Sequence, residues 1–84
     1  MTPYLARVIW NDAQGSATEV FESRKHHAPV VMATVGWVTA KDRAGVSICC
    51  EQWTEDGAVK FRGHTYIPAG MVIRIVRLIP QPLV

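Results

Sequence analysis

The chain lacks most of what disulfide-stabilised and metal-binding proteins depend on. Its 84 residues contain only two cysteines, and these are neighbours, Cys49 and Cys50. Adjacent residues of a strand point to opposite faces, so a disulfide between them is not expected, and no metal-ligand spacing surrounds them. We therefore expect one core thiol and one surface or interface thiol, both in a reducing compartment.

Long apolar runs and targeting signals are also missing. A transmembrane helix needs about 20 consecutive apolar residues, and no stretch of the sequence approaches that length. The first residues, 1–7, contain no apolar segment of the kind that forms the centre of a signal peptide. The sequence therefore predicts a cytoplasmic protein that does not associate with a membrane.

The chain is short, and neither sign of charge dominates it. Nine basic and seven acidic residues give a net charge of +2, which is not by itself the composition of a nucleic-acid-binding protein. A chain of 84 residues predicts a single domain, 1–84, with a small core and marginal stability. Because 49% of the residues are hydrophobic, more apolar side chains exist than such a core holds, and we expect a homo-oligomer.

Hydrophobic alternation predicts about five strands and no long helix. Residues 4–10 alternate strictly, with Ala6 and Val8 on one face and Leu5 and Ile9 on the other. The later strands are predicted at residues 30–40, 46–53, 58–62 and 71–79. Turn-forming residues separate them at 11–16, 41–45, 55–57 and 67–70, and Pro80 and Pro82 end the last strand. Residues 17–25 fit either a helical turn or a short, irregular strand.

Two glycines carry specific expectations. Gly36 lies in the middle of the longest apolar stretch, and a glycine inside a strand marks a sharp bend or a close approach of two backbones. In a small barrel one strand must bend strongly. Gly45 ends the following turn, where we expect the left-handed conformation. Together these features predict an all-β fold, a small, strongly bent five-stranded barrel.

The segment from Val35 to Ile75 resembles the Sm-like (Hfq-like) small barrels, and SH3-like barrels share much of the pattern. The residues that carry the resemblance are Gly36, Asp42 and 46–48 for a first motif, then Arg62, Gly63, Ile67 and 72–75 for a second. It implies a barrel, an oligomeric ring and an RNA-binding pocket. Ser47 stands nearest to the position at which the family carries a base-reading asparagine.

The whole chain is also similar to a group of short phage and prophage proteins. The matching residues are Trp10, Asp12, Ala13, 35–38, Ile67 and Pro68. This resemblance implies a small accessory protein that works in the cytoplasm of the host cell.

The Arg-Gly pair predicts a ligand site. A glycine beside an arginine allows close backbone approach, so that N–H groups and a guanidinium converge on one oxyanion. This geometry predicts Arg62, Gly63 and His64 as ligand-binding residues. The resemblance to Sm-like barrels adds Asp42, and Trp53 is added as an aromatic side chain beside polar residues that can stack on a base. The same segment also fits a solvated hairpin, and Trp53 also fits simple packing, so both alternatives stay open here.

The last predicted strand is the expected subunit interface. In Sm-like rings this strand pairs with a strand of the neighbouring subunit, which covers an otherwise exposed sheet edge. The predicted interface residues are Met71, Ile73, Ile75 and Arg77. Arg74 and Arg77, three residues apart, are expected on opposite faces of the strand.

No catalytic constellation is present, so we expect no enzyme activity, no cofactor and no metal. The sequence has no glycine-rich phosphate loop and no serine nucleophile motif, and no carboxylate or cysteine is spaced to complete a metal site with His26 and His27.

Three functions stay open. The first is an accessory protein that counters host defence by binding a host factor or a small anionic, nucleotide-type ligand. The second is RNA or single-stranded DNA binding, with phosphate contacts from residues 24–27, Arg62, Arg74 and Arg77. The third is a structural virion component.

Overall fold

The computed structural model describes residues 1–12 and 30–79, which form one antiparallel sheet of five strands. The elements are β1 (Tyr4–Asp12), β2 (Val30–Lys41), β3 (Gly45–Glu55), β4 (Ala58–Pro68), a short 3-10 helix (Ala69–Met71) and β5 (Val72–Arg77). In space the strands follow the order β4-β3-β2-β1-β5. The all-β class and the five strands are confirmed. The ambiguous segment 17–25 and the prolines after β5 lie outside the described residues.

The alternation predicted for the first strand places its side chains as expected. Ala6 and Val8 are fully buried, whereas Leu5 and Ile9 are half-buried and Arg7 between them is exposed. The buried side chains belong to one hydrophobic cluster formed by Ala6, Val8, Val38, Val46, Ile48 and Ile67. Val72 and Ile75 of β5 pack against this cluster. All five strands therefore contribute to a single core.

Gly36 is a point of close backbone approach, which is one of the two alternatives that the sequence left open. A Cβ atom at this position would overlap the carbonyl oxygen of Cys49 and lie 3.0 Å from its carbonyl carbon. The β2–β3 ladder reaches only to the Trp37–Cys49 pair, and its register shifts between Val38 and Ala40. From Gly36 back to Val30, β2 pairs with β1 but not with β3. β2 and β3 therefore separate at Gly36.

Beyond this point β3 is paired with β4 alone among the residues that the structure describes. The two strands form a projecting arm, 50–62, and every residue from Cys50 to Lys60 is exposed. At its tip, Asp56 and Gly57 have φ angles of 51° and 77° and connect Glu55 to Ala58 in a two-residue hairpin. Positive φ at both central residues is typical of the type I′ turn, so the predicted hairpin is confirmed.

Within residues 1–12 and 30–79 no ladder joins β4 to β5, so the strand pairing leaves the sheet open and the predicted barrel is not confirmed. Two boundaries predicted near β5 are wrong. Residues 67–70 are not one tight turn, since Ile67 and Pro68 end β4 and the 3-10 helix follows. The last strand consequently begins at Val72 and not at Met71.

Gly45 does not adopt the left-handed conformation that we expected. Instead it is buried, and a Cβ atom there would lie 2.7 Å from the Tyr66 hydroxyl oxygen. The turn closes through Asp42, whose Oδ1 accepts hydrogen bonds from the backbone N–H groups of Ala44 (2.8 Å) and Gly45 (3.2 Å). Glycine is therefore needed at position 45 for space beside β4 and not for a positive φ.

None of the helical structure in residues 1–12 and 30–79 has the length and hydropathy of a membrane span.

Candidate functional site

The predicted Arg-Gly turn is in fact the middle of a strand. β4 pairs with β3 from Ala58 to Pro68 without a register shift, so it extends six residues beyond the predicted end at Arg62. Gly63 has a φ of 75°, and a Cβ atom there would overlap the Cys50 sulfur atom. The glycine thus lets the chain adopt a conformation that other residues disfavour while the ladder continues on both sides. The continuous cross-strand pairing overrides the local turn signal.

Arg62 is engaged with a carboxylate across the ladder. It lies directly opposite Glu51, and its Nη2 donates a hydrogen bond to Glu51 Oε2 at 2.9 Å. This hydrogen bond and the attraction of the two charges hold the pKa of Glu51 below its ordinary value and raise the pKa of Arg62. Both side chains are more than half exposed, so solvent screens the pair.

Trp53 connects Arg62 to a second ion pair. The Arg62 guanidinium carbon lies 5.4 Å from the centre of the indole ring, which is within the range of a cation–π contact. The indole Nε1 donates a hydrogen bond to Glu55 Oε2 at 3.2 Å, and Lys60 Nζ lies 3.6 Å from the same oxygen. We call the five residues Glu51, Trp53, Glu55, Lys60 and Arg62 the charged ladder. An anion that binds Arg62 must compete with Glu51.

The structure divides the predicted ligand site. Trp53, Arg62, Gly63 and His64 lie along the β3–β4 ladder, where His64 is exposed and pairs with Cys49. Asp42 lies in the turn before β3, next to the Gly45–Pro68 pair. The Glu51–Arg62 pair lies six positions further along β3, which corresponds to about 20 Å along a strand. The predicted residues therefore do not converge on one ligand.

Asp42 instead lies at a groove of about 400 Å³ between the β2–β3 turn and β5. The groove is lined by Lys41, Asp42, Gly45, Val46, Ala69 and residues 72–75. Two basic residues, Lys41 and Arg74, belong to this lining. Sequence reasoning named Asp42 as a site residue but did not place Lys41 and Arg74 beside it, because they are 33 positions apart and only the tertiary fold brings them to one groove.

The predicted interface residues have different surroundings. Met71 and Ile75 are half-buried and pack against the core, and Ile73 is 53% exposed. The Arg77 guanidinium carbon lies 4.5 Å from the centre of the Tyr4 ring. Arg74 pairs with Ile9 on the outer face, and Arg77 pairs with the buried Ala6, so the two arginines lie on opposite faces as expected.

The outer face of β1 and β2 is mostly apolar. Directly opposite residues of an antiparallel ladder share a face, and the ladder pairs Leu5 with Trp37, Arg7 with Val35, Ile9 with Ala33 and Asn11 with Val31. Val31 and Val35 are 63% and 53% exposed. We call this surface the outer β1–β2 face, and Arg7 is its only charged residue among these eight.

The two neighbouring cysteines lie on β3, and neither belongs to a possible metal site among the described residues. Cys49 is buried and Cys50 is exposed, and both are free, as expected for neighbouring strand residues. In the part of the chain that the structure describes, no three His, Cys, Asp or Glu side chains are grouped closely enough to hold a metal ion.

Comparison of the chain with known protein families, with curated proteins and with solved structures found no match.

Proposed function

We propose that the chain is a non-catalytic phage or prophage accessory protein that works as a homo-oligomer. In this proposal it counters host defence by binding a host factor or by sequestering a small anionic, nucleotide-type ligand. The observation that carries the homo-oligomer is the outer β1–β2 face, because an exposed apolar surface needs another surface to cover it. The phage accessory role rests on the resemblance of the sequence alone.

The argument starts from the alternation of β2. When an antiparallel strand faces water on one side, its outward residues are polar. Here the inward positions Gly36 and Val38 are buried, yet the outward positions 31, 33, 35 and 37 are Val, Ala, Val and Trp. A strand that is apolar on both faces is typical of one that is covered on both faces. A second copy of the chain is the cover that we propose.

We also propose that the open sheet is rolled into the Sm-like or SH3-like barrel shape. In a flat five-stranded sheet the two edge strands lie about 19 Å apart. Ile67 of β4 belongs to the core cluster, and Val72 and Ile75 of β5 pack against that same cluster. Both edge strands therefore contribute to one core, which supports a strongly curved sheet.

The experiment is sedimentation and native mass spectrometry of the full chain at micromolar concentration. We expect an oligomer that Val35→Lys dissociates, because the variant buries a charge in the contact. Val59→Lys is the matched control, since Val59 is 54% exposed on the arm, and it should leave the oligomer intact.

The interface predicted on β5 is tested in the same series by Ile73→Lys. Dissociation by Ile73→Lys alone would place the contact at the β5 edge. A monomeric wild-type chain would contradict the homo-oligomer.

Single-stranded nucleic-acid binding is the second candidate, and one observation favours it. Arg7 and Arg74 lie on the same face as Trp37, and a combination of basic and aromatic side chains on a sheet face suits phosphates and stacked bases. The test is retention of a single-stranded oligonucleotide by the protein. Retention that falls steeply as the salt concentration rises, and that is weaker in Trp37→Ala, would support this candidate.

A further inference from the structure

We propose that the groove between the β2–β3 turn and β5 binds a phosphorylated nucleoside, with the phosphate held between Lys41 and Arg74. The inference rests on the proposed ligand-binding function and names its site and its ligand class. The volume of about 400 Å³ lies within the range of about 300 to 1,000 Å³ that small-molecule sites occupy.

The first argument is charge. Among residues 1–12 and 30–79, only Lys60 and Arg62 lie within 4.0 Å of a carboxylate oxygen, so neither Lys41 nor Arg74 has such a partner there. Asp42 is the one acidic residue that the described part of the chain contributes to the lining, and its Oδ1 already accepts two backbone hydrogen bonds within its own turn. Within the described residues, the two cations are therefore available to an anion, and charge-assisted hydrogen bonds are the strong ones.

The second argument is the exposed backbone of β5. Consecutive strand residues point to alternate faces, so a groove lined by all four residues 72–75 must run along the edge of the strand. In the described part of the chain β5 is paired with β1 alone, which leaves its other edge open. Unpaired backbone N–H and C=O groups on that edge offer hydrogen bonds to phosphate oxygens or to the edge of a base.

The third argument is the apolar part of the lining. Val46 is 3% exposed at the start of β3, and Val72 and Ile75 are half-buried beside it. A free phosphate ion makes no use of apolar side chains, whereas a nucleoside attached to the phosphate covers them with its sugar and base. Cations, an apolar wall and an open strand edge together fit a nucleotide better than an inorganic ion.

The groove also differs from the site predicted at Arg62. The Arg62 guanidinium already holds Glu51 at 2.9 Å and stands over Trp53, so a ligand there must displace a carboxylate. At Lys41 and Arg74 no such displacement is needed within the described residues. Arg62 is therefore the matched control residue for the experiment.

The experiment titrates the ¹⁵N-labelled full chain with adenosine 5′-monophosphate, with adenosine and with inorganic phosphate. We expect the monophosphate to shift the amide signals of residues 41–46 and 72–75 and to bind more tightly than either fragment. Lys41→Gln and Arg74→Gln should each weaken binding by at least about tenfold, since a hydrogen bond to a charged group contributes about 1.5 to 3 kcal/mol. Arg62→Gln should leave the affinity unchanged.

Several outcomes would overturn the inference. No shift in the groove at millimolar monophosphate would do so, as would equal weakening by Arg62→Gln, which would indicate diffuse electrostatics. Equal affinity for phosphate and for the monophosphate would reduce the site to ion binding. An oligomer that Arg74→Gln dissociates would show that a second copy of the chain, and not a ligand, occupies the groove.

Native mass spectrometry of the same samples separates this inference from the function on which it rests. If Val35→Lys still dissociates the oligomer while the groove stays empty, the groove site fails and the homo-oligomer stands. If the monophosphate binds in the groove of a monomeric wild-type chain, the homo-oligomer fails and the groove site stands.

Discussion

At the scale of single residues, the Glu51–Arg62 pair shows how a strand ladder decides which charges meet. The two side chains are eleven positions apart in the sequence, and the β3–β4 register places them directly opposite each other. Directly opposed charges of opposite sign stabilise an antiparallel pair. The arginine that looked available for a ligand is therefore part of the folded arm.

The first prediction concerns the titration of Glu51. Its pKa is lowered in the folded protein, first by the hydrogen bond from Arg62 and then by the charge of Arg62. A carboxyl with a lowered folded pKa stabilises the fold above its ordinary pKa of 4.5, and this contribution is lost as the pH falls through the lower folded value.

The measurement is the carboxyl ¹³C shift of Glu51 as a function of pH. Wild-type protein should titrate with a midpoint below 4.5, and Arg62→Gln should return the midpoint toward that ordinary value. Arg74→Gln is the control, since Arg74 belongs to the groove lining and not to the charged ladder. An unchanged midpoint in Arg62→Gln would contradict the pairing.

At the scale of the elements, the joint between β2 and β3 depends on Gly36. A side chain at this position has no room, because its Cβ atom would overlap the carbonyl oxygen of Cys49 and meet the Ile48 side chain at 3.1 Å. The two backbones are therefore closer here than any other residue allows.

The second prediction follows from that contact. Gly36→Ala should destabilise the fold by about 1 to 3 kcal/mol, the usual effect of excess volume in a packed site. Gly70→Ala is the matched control, since nothing lies within 4 Å of a Cβ atom there, and it should change stability by less than about 0.5 kcal/mol. Urea unfolding of the two variants measures both effects, and equal stabilities would show that the β2–β3 approach tolerates a side chain.

At the scale of the whole molecule, stability is concentrated at one end of the sheet. Among the residues that the structure describes, seven form the buried core, and all of them lie outside the arm. The molecule extends over 54 × 29 × 24 Å, which is elongated for a chain of this size. The arm has exposed side chains and only its own two strands, so it lacks the buried contacts that resist local opening.

The third prediction is a gradient of amide hydrogen exchange. Hydrogen-bonded amides of the arm, 51–62, should exchange at least about tenfold faster than those of Val8 and Ile48, because the arm opens without unfolding the core. Exchange followed by NMR at neutral pH tests this. Equal protection in the arm and the core would indicate that a partner covers the arm.

The sequence by itself determined the features that depend on neighbouring residues. The alternation of residues 4–10 placed Ala6 and Val8 together on one face of a half-buried strand, the Asp56-Gly57 pair predicted a hairpin, and adjacent cysteines predicted one buried and one exposed thiol. Each follows from the two-residue period of a strand or from the φ preference of a turn residue. Gly36 belongs only in part to this group, because a glycine inside an apolar strand signals either a bend or a close approach, and the structure shows the close approach.

Only the tertiary structure decided where distant residues meet. A local signal marked Arg62-Gly63 as a turn, but β4 pairs with β3 on both sides of Gly63, through ten residues in all, and this ladder places Arg62 opposite Glu51. Lys41 and Arg74 come to one groove because the backbone N–H of Ala69 donates a hydrogen bond to the Ala44 carbonyl, which joins the β2–β3 turn to the 3-10 helix that precedes β5. Register and curvature are properties of whole strands packed around a shared core, and no short window of sequence contains them.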